Sequence, residues 1–244
     1  MQVYHYTSLS ALAMILHSKR IRFSRLDTLD DIRETAGIPA ILPYHLYVSC
    51  WTLDEKENIV LWDMYTRTRG IRIQLPKVFY NNYNIGLPEH NLLKEYLYPL
   101  PLDESENDVM YFRAMAAGED ALSMEVEYCQ DAELTKRQQF ELGPGSVKTS
   151  NWNNLVRYKD DQWAFQKEFR YYFAGALKIS PNKMPEYLDV PINEDVFNNI
   201  KIRLHPNSGL DSELIVRALL EKYTSNGTVE FSHLTGIVRP KNHL

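Results

Sequence analysis

A carboxylate two residues from an amide and two residues from an arginine is the most chemically suggestive pattern in this chain. Gln166, Glu168 and Arg170 stand in the stretch KDDQWAFQKEFRYYFA, residues 159–174. The aromatic and β-favouring content between Phe165 and Phe173 predicts a strand. Successive strand side chains point to opposite faces, so Gln166, Glu168, Arg170 and Tyr172 would share one face. Phe165, Phe169, Tyr171 and Phe173 would share the other with Lys167, and Trp163 would be buried on the Phe165 side. Polar groups then recur about every 7 Å along one face, the two-residue repeat of a strand. A rigidly held carboxylate with an amide and a guanidinium beside it suits a small polar ligand. The same pattern also describes a sheet face laced with cross-strand ion pairs.

The other reactive residue types are dispersed. Asp27, Asp30, Asp31 and Glu34 crowd into one irregular segment, but their spacing matches no EF-hand loop, and a solvated loop with a helical turn is expected there. The seven histidines include no pair at metal-ligand spacing, and no metal site is predicted. GxGxxG after a strand, GxxxxGK[ST], HExxH and GxSxG are all missing from the sequence. Cys50 and Cys129 form no CxxC pair, which suits a reducing compartment. The N-terminus lacks a signal-peptide pattern and no apolar run approaches a membrane span, so a cytoplasmic protein without membrane contact is expected.

The elements that must position these residues follow from periodicity. The 244 residues are 44% hydrophobic and 24% charged, an ordinary globular balance, with a formal net charge of −5 that argues against non-specific grip on a phosphate backbone. Val3 to Thr7 reads as a strand, followed by a helix capped by Ser8 or Ser10 and built on Leu9, Leu12, Ala13 and Leu16. Strands are predicted at Ile21 to Ser24, Leu46 to Trp51, Ile71 to Leu75, Ile200 to Leu204 and Thr228 to Ser232. Ile59 to Tyr65 makes two helical turns, and Gly70 ends that segment. A further helix capped by Asp211 runs to Tyr223 on Leu214, Ile215, Ala218 and Leu219. Between residues 80 and 155 the strand rhythm fades; helical pieces are expected at Glu89 to Tyr98 and Met110 to Glu119, with a polar loop from Leu142 to Asn151. The expectation is one α+β domain over residues 1–244 with a helical insertion at about 80–155.

YHYTSLSALAMIL, VSCWT, LWDMYTRTRGIRI, WAFQKEFR and IKIRL together resemble an uncharacterised bacterial domain family. That family has a YxYTS-like opening, an [LM]WxxY turn and a closing WxxxKE[YF]R. The pieces in this order also resemble the ADP-ribosyltransferase fold, a mixed and largely antiparallel sheet core with flanking helices. That resemblance implies NAD as substrate, with His5, Tyr6, Thr7, Trp62 and Tyr65 contacting it. It implies Glu168 as the catalytic carboxylate, offsetting charge on an oxocarbenium-like ribose, with Gln166 orienting the acceptor or the glutamate. His5 and Glu168 would then face one groove. The acceptor would be a nucleic acid or a protein, and the setting that of a toxin or phage-defence effector. Two other readings stay open: a ligand-binding or sensor domain on the same scaffold without the chemistry, and a metal-dependent nuclease-like effector using Asp30, Asp31, Glu34 and Glu168.

Overall fold

The computed structural model describes residues 1–36, 38–66, 69–81, 83–84, 97–98, 111–112, 123–130, 140–143, 146–149, 153–175 and 184–238. They form an α+β fold whose strands pair mostly antiparallel. The sequence suggested one domain with an insertion; the chain divides into two compact units built from interleaved segments. Met1–Ile21, Trp51–Tyr80 and Pro191–Leu244 make the first, and Arg22–Cys50 and Asn81–Val190 the second. Four strands open the chain: β1 (Gln2–Thr7), β2 (Arg20–Arg25), β3 (Leu46–Thr52) and β4 (Ile71–Pro76). Two of them, β2 and β3, pass from one unit to the other along their length.

In the first unit β1 pairs antiparallel with β4 over its whole length, from Gln2 opposite Pro76 to Thr7 opposite Ile71. Strand β4 also pairs with Lys201–Leu204, which pairs in parallel with Thr228–Glu230. Directly opposed residues share a face. One face therefore carries Val3, His5, Ile71, Ile73, Leu75 and Ile202, and the other Tyr4, Tyr6, Arg72, Gln74, Lys201 and Arg203. The alternation in VYHYT and IRIQL dictates this split between apolar and polar sides.

Helix α1 (Leu9–Ser18) starts where Ser8 Oγ accepts from the Ala11 amide at 3.1 Å, and it buries Leu12 and Leu16. It contacts the helix Leu210–Tyr223. That second helix begins one residue before the expected cap, with Gly209 in the cap position, and buries Ser212, Val216 and Leu220. The expected stripe is displaced, since Leu214 is 57% exposed and Ile215 48%. Both stripes have helical spacing, and contact with α1 and with Thr228–Glu230 decides which one is covered. Helix α2 (Ile59–Thr66) leads to Gly70, where an added Cβ would lie 2.0 Å from Thr66 Cβ and 2.5 Å from the Thr7 carbonyl oxygen. Glycine is the residue that this close approach admits.

In the second unit Ser24 of β2 lies opposite Val48 of β3. Strand β3 also pairs with the strand Glu168–Gly175, which continues to Ser123–Glu125 and Tyr111–Phe112. Leu26, Leu46, Val48, Leu155, Val156 and Tyr172 pack into one buried cluster. The described parts of residues 80–155 are mostly short strands up to the single helical turn Asn154–Arg157, and most of the expected helical insertion lies outside the described residues. Within the polar loop expected from Leu142 to Asn151, the described residues are strand: Phe140–Gly143 pairs antiparallel with Ser146–Thr149. The helices expected around residues 89–98 and 110–119 lie outside the described residues, apart from Leu97–Tyr98 and Tyr111–Phe112, which are strands.

Candidate functional site

The strand bearing the central carboxylate begins at Glu168 itself. Upstream, Asp161–Gln166 is a 3-10 helix, started by the Asp160 side chain accepting from the Gln162 amide at 2.9 Å. It ends at Lys167, whose φ of 45° is left-handed. Gln166 and Glu168 therefore do not share a strand face, and Trp163 is half-buried rather than core. Local side-chain capping overrides the β propensity of the aromatics.

Glu168 is 4% exposed and sits inside a charge cluster of the second unit. Its Oε1 accepts from Arg170 Nε at 2.5 Å; its Oε2 accepts from Arg170 Nη2 at 3.1 Å and from Lys159 Nζ at 3.3 Å. Lys159 Nζ also lies 3.0 Å from Glu34 Oε1 and 3.7 Å from Asp30 Oδ1. Arg170 pairs with Glu34 at 2.5 Å and donates to the Val156 carbonyl at 3.0 Å. Two buried cations thus alternate with two buried carboxylates, and Asp30, with its side chain 42% exposed, forms the rim. Of the solvated loop with a helical turn expected here, the turn is present at Ile32–Thr35 and Asp27 and Asp30 are exposed, but Asp31 and Glu34 are buried. The ammonium of Lys159 lies among Asp30, Glu34 and Glu168, where the nuclease-like reading would put a cation. Among the described residues no group of three or more His, Cys, Asp and Glu side chains is placed to hold a metal ion.

Charge states follow from these neighbours. Burial works against the Glu168 anion, but Arg170 and Lys159 outweigh it and bring its pKa from 4.5 down to about 2. Burial also opposes the Lys159 cation, and Glu168 and Glu34 hold its pKa above the ordinary lysine value. The Cys50 thiol beside them is pushed well above its ordinary value by burial and by the Glu168 charge. Tyr128, whose hydroxyl accepts from the Glu168 amide at 2.8 Å, is pushed up to about 12, mainly by burial. At neutral pH the acid is ionised, the amine charged and the thiol protonated. Amine-nucleophile and thiolate chemistry lack the protonation state they need, and the ionised Glu168, held this far below the ordinary glutamate range, is a weak general base.

The residues expected to hold NAD lie in the first unit and divide between two faces of its sheet. The His5 ring is 5.1 Å from that of Trp51, which is 4.9 Å from Phe79; Thr7 is on the same side as His5. Tyr6 points the other way, its hydroxyl accepting from the Asn58 amide at 3.0 Å and its ring edge-on to Trp62 at 4.9 Å. Trp62 is buried and donates Nε1 to Glu57 at 3.0 Å, while Tyr65 is exposed on α2. The strand brings Tyr6 and Trp62 together and separates them from His5 and Thr7. Gln166 and Glu168 belong to the other unit.

Sequence reasoning missed three residues here. Glu57 accepts from Trp62, from the His233 amide at 2.8 Å and from Ser232 Oγ, and pairs with Arg203 at 3.4 Å, tying α2 to the C-terminal segment. Arg72 is almost fully buried on the tyrosine face, and Lys159 is the hub of the charge cluster. For Arg72 a signal was present, because it is a polar position of the alternating IRIQL strand; Glu57 and Lys159 sit in segments with no period to mark them. Comparison of the chain with family models, with curated proteins and with solved structures gives no match.

Proposed function

We propose that this chain is a ligand-binding or sensor domain rather than a transferase that works through Glu168. One observation carries the reading: both carboxylate oxygens of Glu168 are held by Arg170 and Lys159 at 4% exposure. A carboxylate that offsets charge on a ribose carbon must present an oxygen to the substrate, and withdrawing one here would strip two buried cations of a partner. The separation of His5 from Trp62 across the sheet supports the same reading, since a single nicotinamide nucleotide would need both.

The test is nicotinamide release from NAD by wild type and Glu168→Gln, with protein and nucleic-acid acceptors present, at a temperature where both are folded. Melting curves with and without NAD and other small ligands accompany it. The binding-domain reading expects no release from either protein and a rise in melting temperature with at least one ligand. Release by wild type that is lost in Glu168→Gln overturns it in favour of NAD-dependent ADP-ribosyl transfer.

A further inference from the structure

We propose that the tyrosine-bearing face of the first unit's sheet binds the phosphoryl group of a small ligand through Arg72. The inference rests on the binding-domain reading and names the chemistry of the ligand.

Tyr6, Arg72, Arg203 and Glu230 stand directly opposite one another across four strands, so they form one row on one face. The two central arginines are treated differently. Arg203 is compensated twice, by Glu57 and by Glu230. Arg72 is 1% exposed and forms no ion pair with a carboxylate among the described residues. Its Nη1 donates to the Glu55 carbonyl at 2.9 Å, its guanidinium lies 4.4 Å from the centre of the Tyr4 ring and 5.8 Å from that of Tyr6, and its Nε has no hydrogen-bond partner. A buried cation is expected to have a counter-charge, and a buried N–H an acceptor. The aromatic faces supply part of the first; the Tyr6 hydroxyl is a side-chain hydrogen-bond partner of the guanidinium, and Nε alone is left without an acceptor.

A phosphoryl group supplies both. Guanidinium binds oxyanions through paired N–H groups, and a tetrahedral oxyanion accepts from several directions at once. In the neighbouring row Tyr4 stands on β1 and Lys201 is exposed on Lys201–Leu204, both opposite Gln74 of β4. Together with Arg72 they offer a hydroxyl, an ammonium and a guanidinium from three adjacent strands. Glu55 is the gate. It is exposed, it influences the Tyr4 hydroxyl as a nearby negative charge, and its carbonyl is the hydrogen-bond acceptor that an entering oxyanion would replace at Arg72.

The experiment follows the Arg72 Nε–H resonance of the ¹⁵N-labelled full chain during titration at fixed ionic strength. The probes are inorganic phosphate, ribose 5-phosphate, ADP and, as control, chloride. The resonance is identified through its contacts to the Tyr4 and Tyr6 rings, so no variant has to fold for the assignment. The expected result is a saturable shift with phosphate that chloride does not produce. Tighter binding of ADP or ribose 5-phosphate assigns the site to a nucleotide or sugar phosphate, and equal binding to free phosphate. Glu55→Gln should tighten binding about threefold by removing a nearby like charge, and Arg72→Lys should weaken it about tenfold by removing the paired donors. No saturable shift with any phosphate, or equal affinity in a folded Arg72→Lys protein, overturns the proposal. The two readings fail separately: lack of phosphate binding without NAD turnover removes this site alone, whereas phosphate binding alongside Glu168-dependent turnover removes the binding-domain reading alone.

Discussion

Replacing Glu168 by glutamine removes one charge from the centre of a buried cluster and leaves shape and one acceptor oxygen in place. Arg170 and Lys159 then share Glu34 as their remaining buried carboxylate, with Asp30 at the rim. The cost can be worked from the carboxyl itself. A group brought from 4.5 to about 2 on folding contributes about 3 kcal/mol, at 1.36 kcal/mol per pKa unit. Breaking a buried ion pair by removing one partner costs about 3–5 kcal/mol, which agrees. The sign with pH follows from the lowered folded value: this stability is fully present above pH 4.5 and is lost as pH falls from there through about 2. Urea denaturation of both proteins from pH 7 to pH 3 reads the effect. The variant should be about 3 kcal/mol less stable at pH 7, and the gap should narrow as the solution is acidified below pH 4.5. Catalytic carboxylates are commonly held at a cost to stability, so their removal is neutral or stabilising. A variant as stable as wild type at pH 7, or a gap that does not change with pH, would refute the structural assignment.

Other consequences are local. Gly70→Ala places a methyl group against Thr66 Cβ and the Thr7 carbonyl, and should lower stability by at least about 1–3 kcal/mol in thermal or urea melts, with the β1 and α2 amides losing exchange protection first. Leu220→Ala should cost about 2–5 kcal/mol because Leu220 is enclosed, whereas Leu214→Ala on the exposed side of the same helix should stay within about 0.5 kcal/mol; equal losses would return the helix to the orientation expected from sequence. Trp163→Ala should cost less than truncation of a core tryptophan, because the half-buried ring offers chiefly its face to Lys159 Nζ at 4.6 Å.

The parts of this fold legible in the sequence are those where one local rule acts alone. Strict alternation in VYHYT and IRIQL placed β1 and β4 and sorted their side chains, and Ser8 before an apolar run placed α1. Legibility failed where two rules compete. Around Trp163 and Phe165 the β propensity of aromatics lost to capping by Asp160, and the strand start moved to Glu168. On Leu210–Tyr223 two apolar stripes satisfied the same period, and tertiary contact chose between them. The site suffered most, because burial of charge is invisible to periodicity. Glu34 and Glu168, 134 positions apart in the chain, meet on Arg170 and Lys159, and no local pattern announces that partnership. Alternation of His5 and Tyr6 was readable, and it already implies that these two cannot grip one ligand from the same side.

Glu168 is proposed here as a structural charge, ionised throughout the range in which the protein is folded, rather than as a catalytic group. The most direct measurement is the side-chain carboxyl ¹³C shift of Glu168, followed from pH 7 down to the acid unfolding transition with and without NAD. The expected signal is flat through the ordinary glutamate range, unaffected by NAD, and moves only at or below the onset of unfolding, because Arg170 and Lys159 hold the carboxyl down at about 2. A titration step between pH 4 and 5 in the folded protein, or a shift induced by NAD, would contradict it.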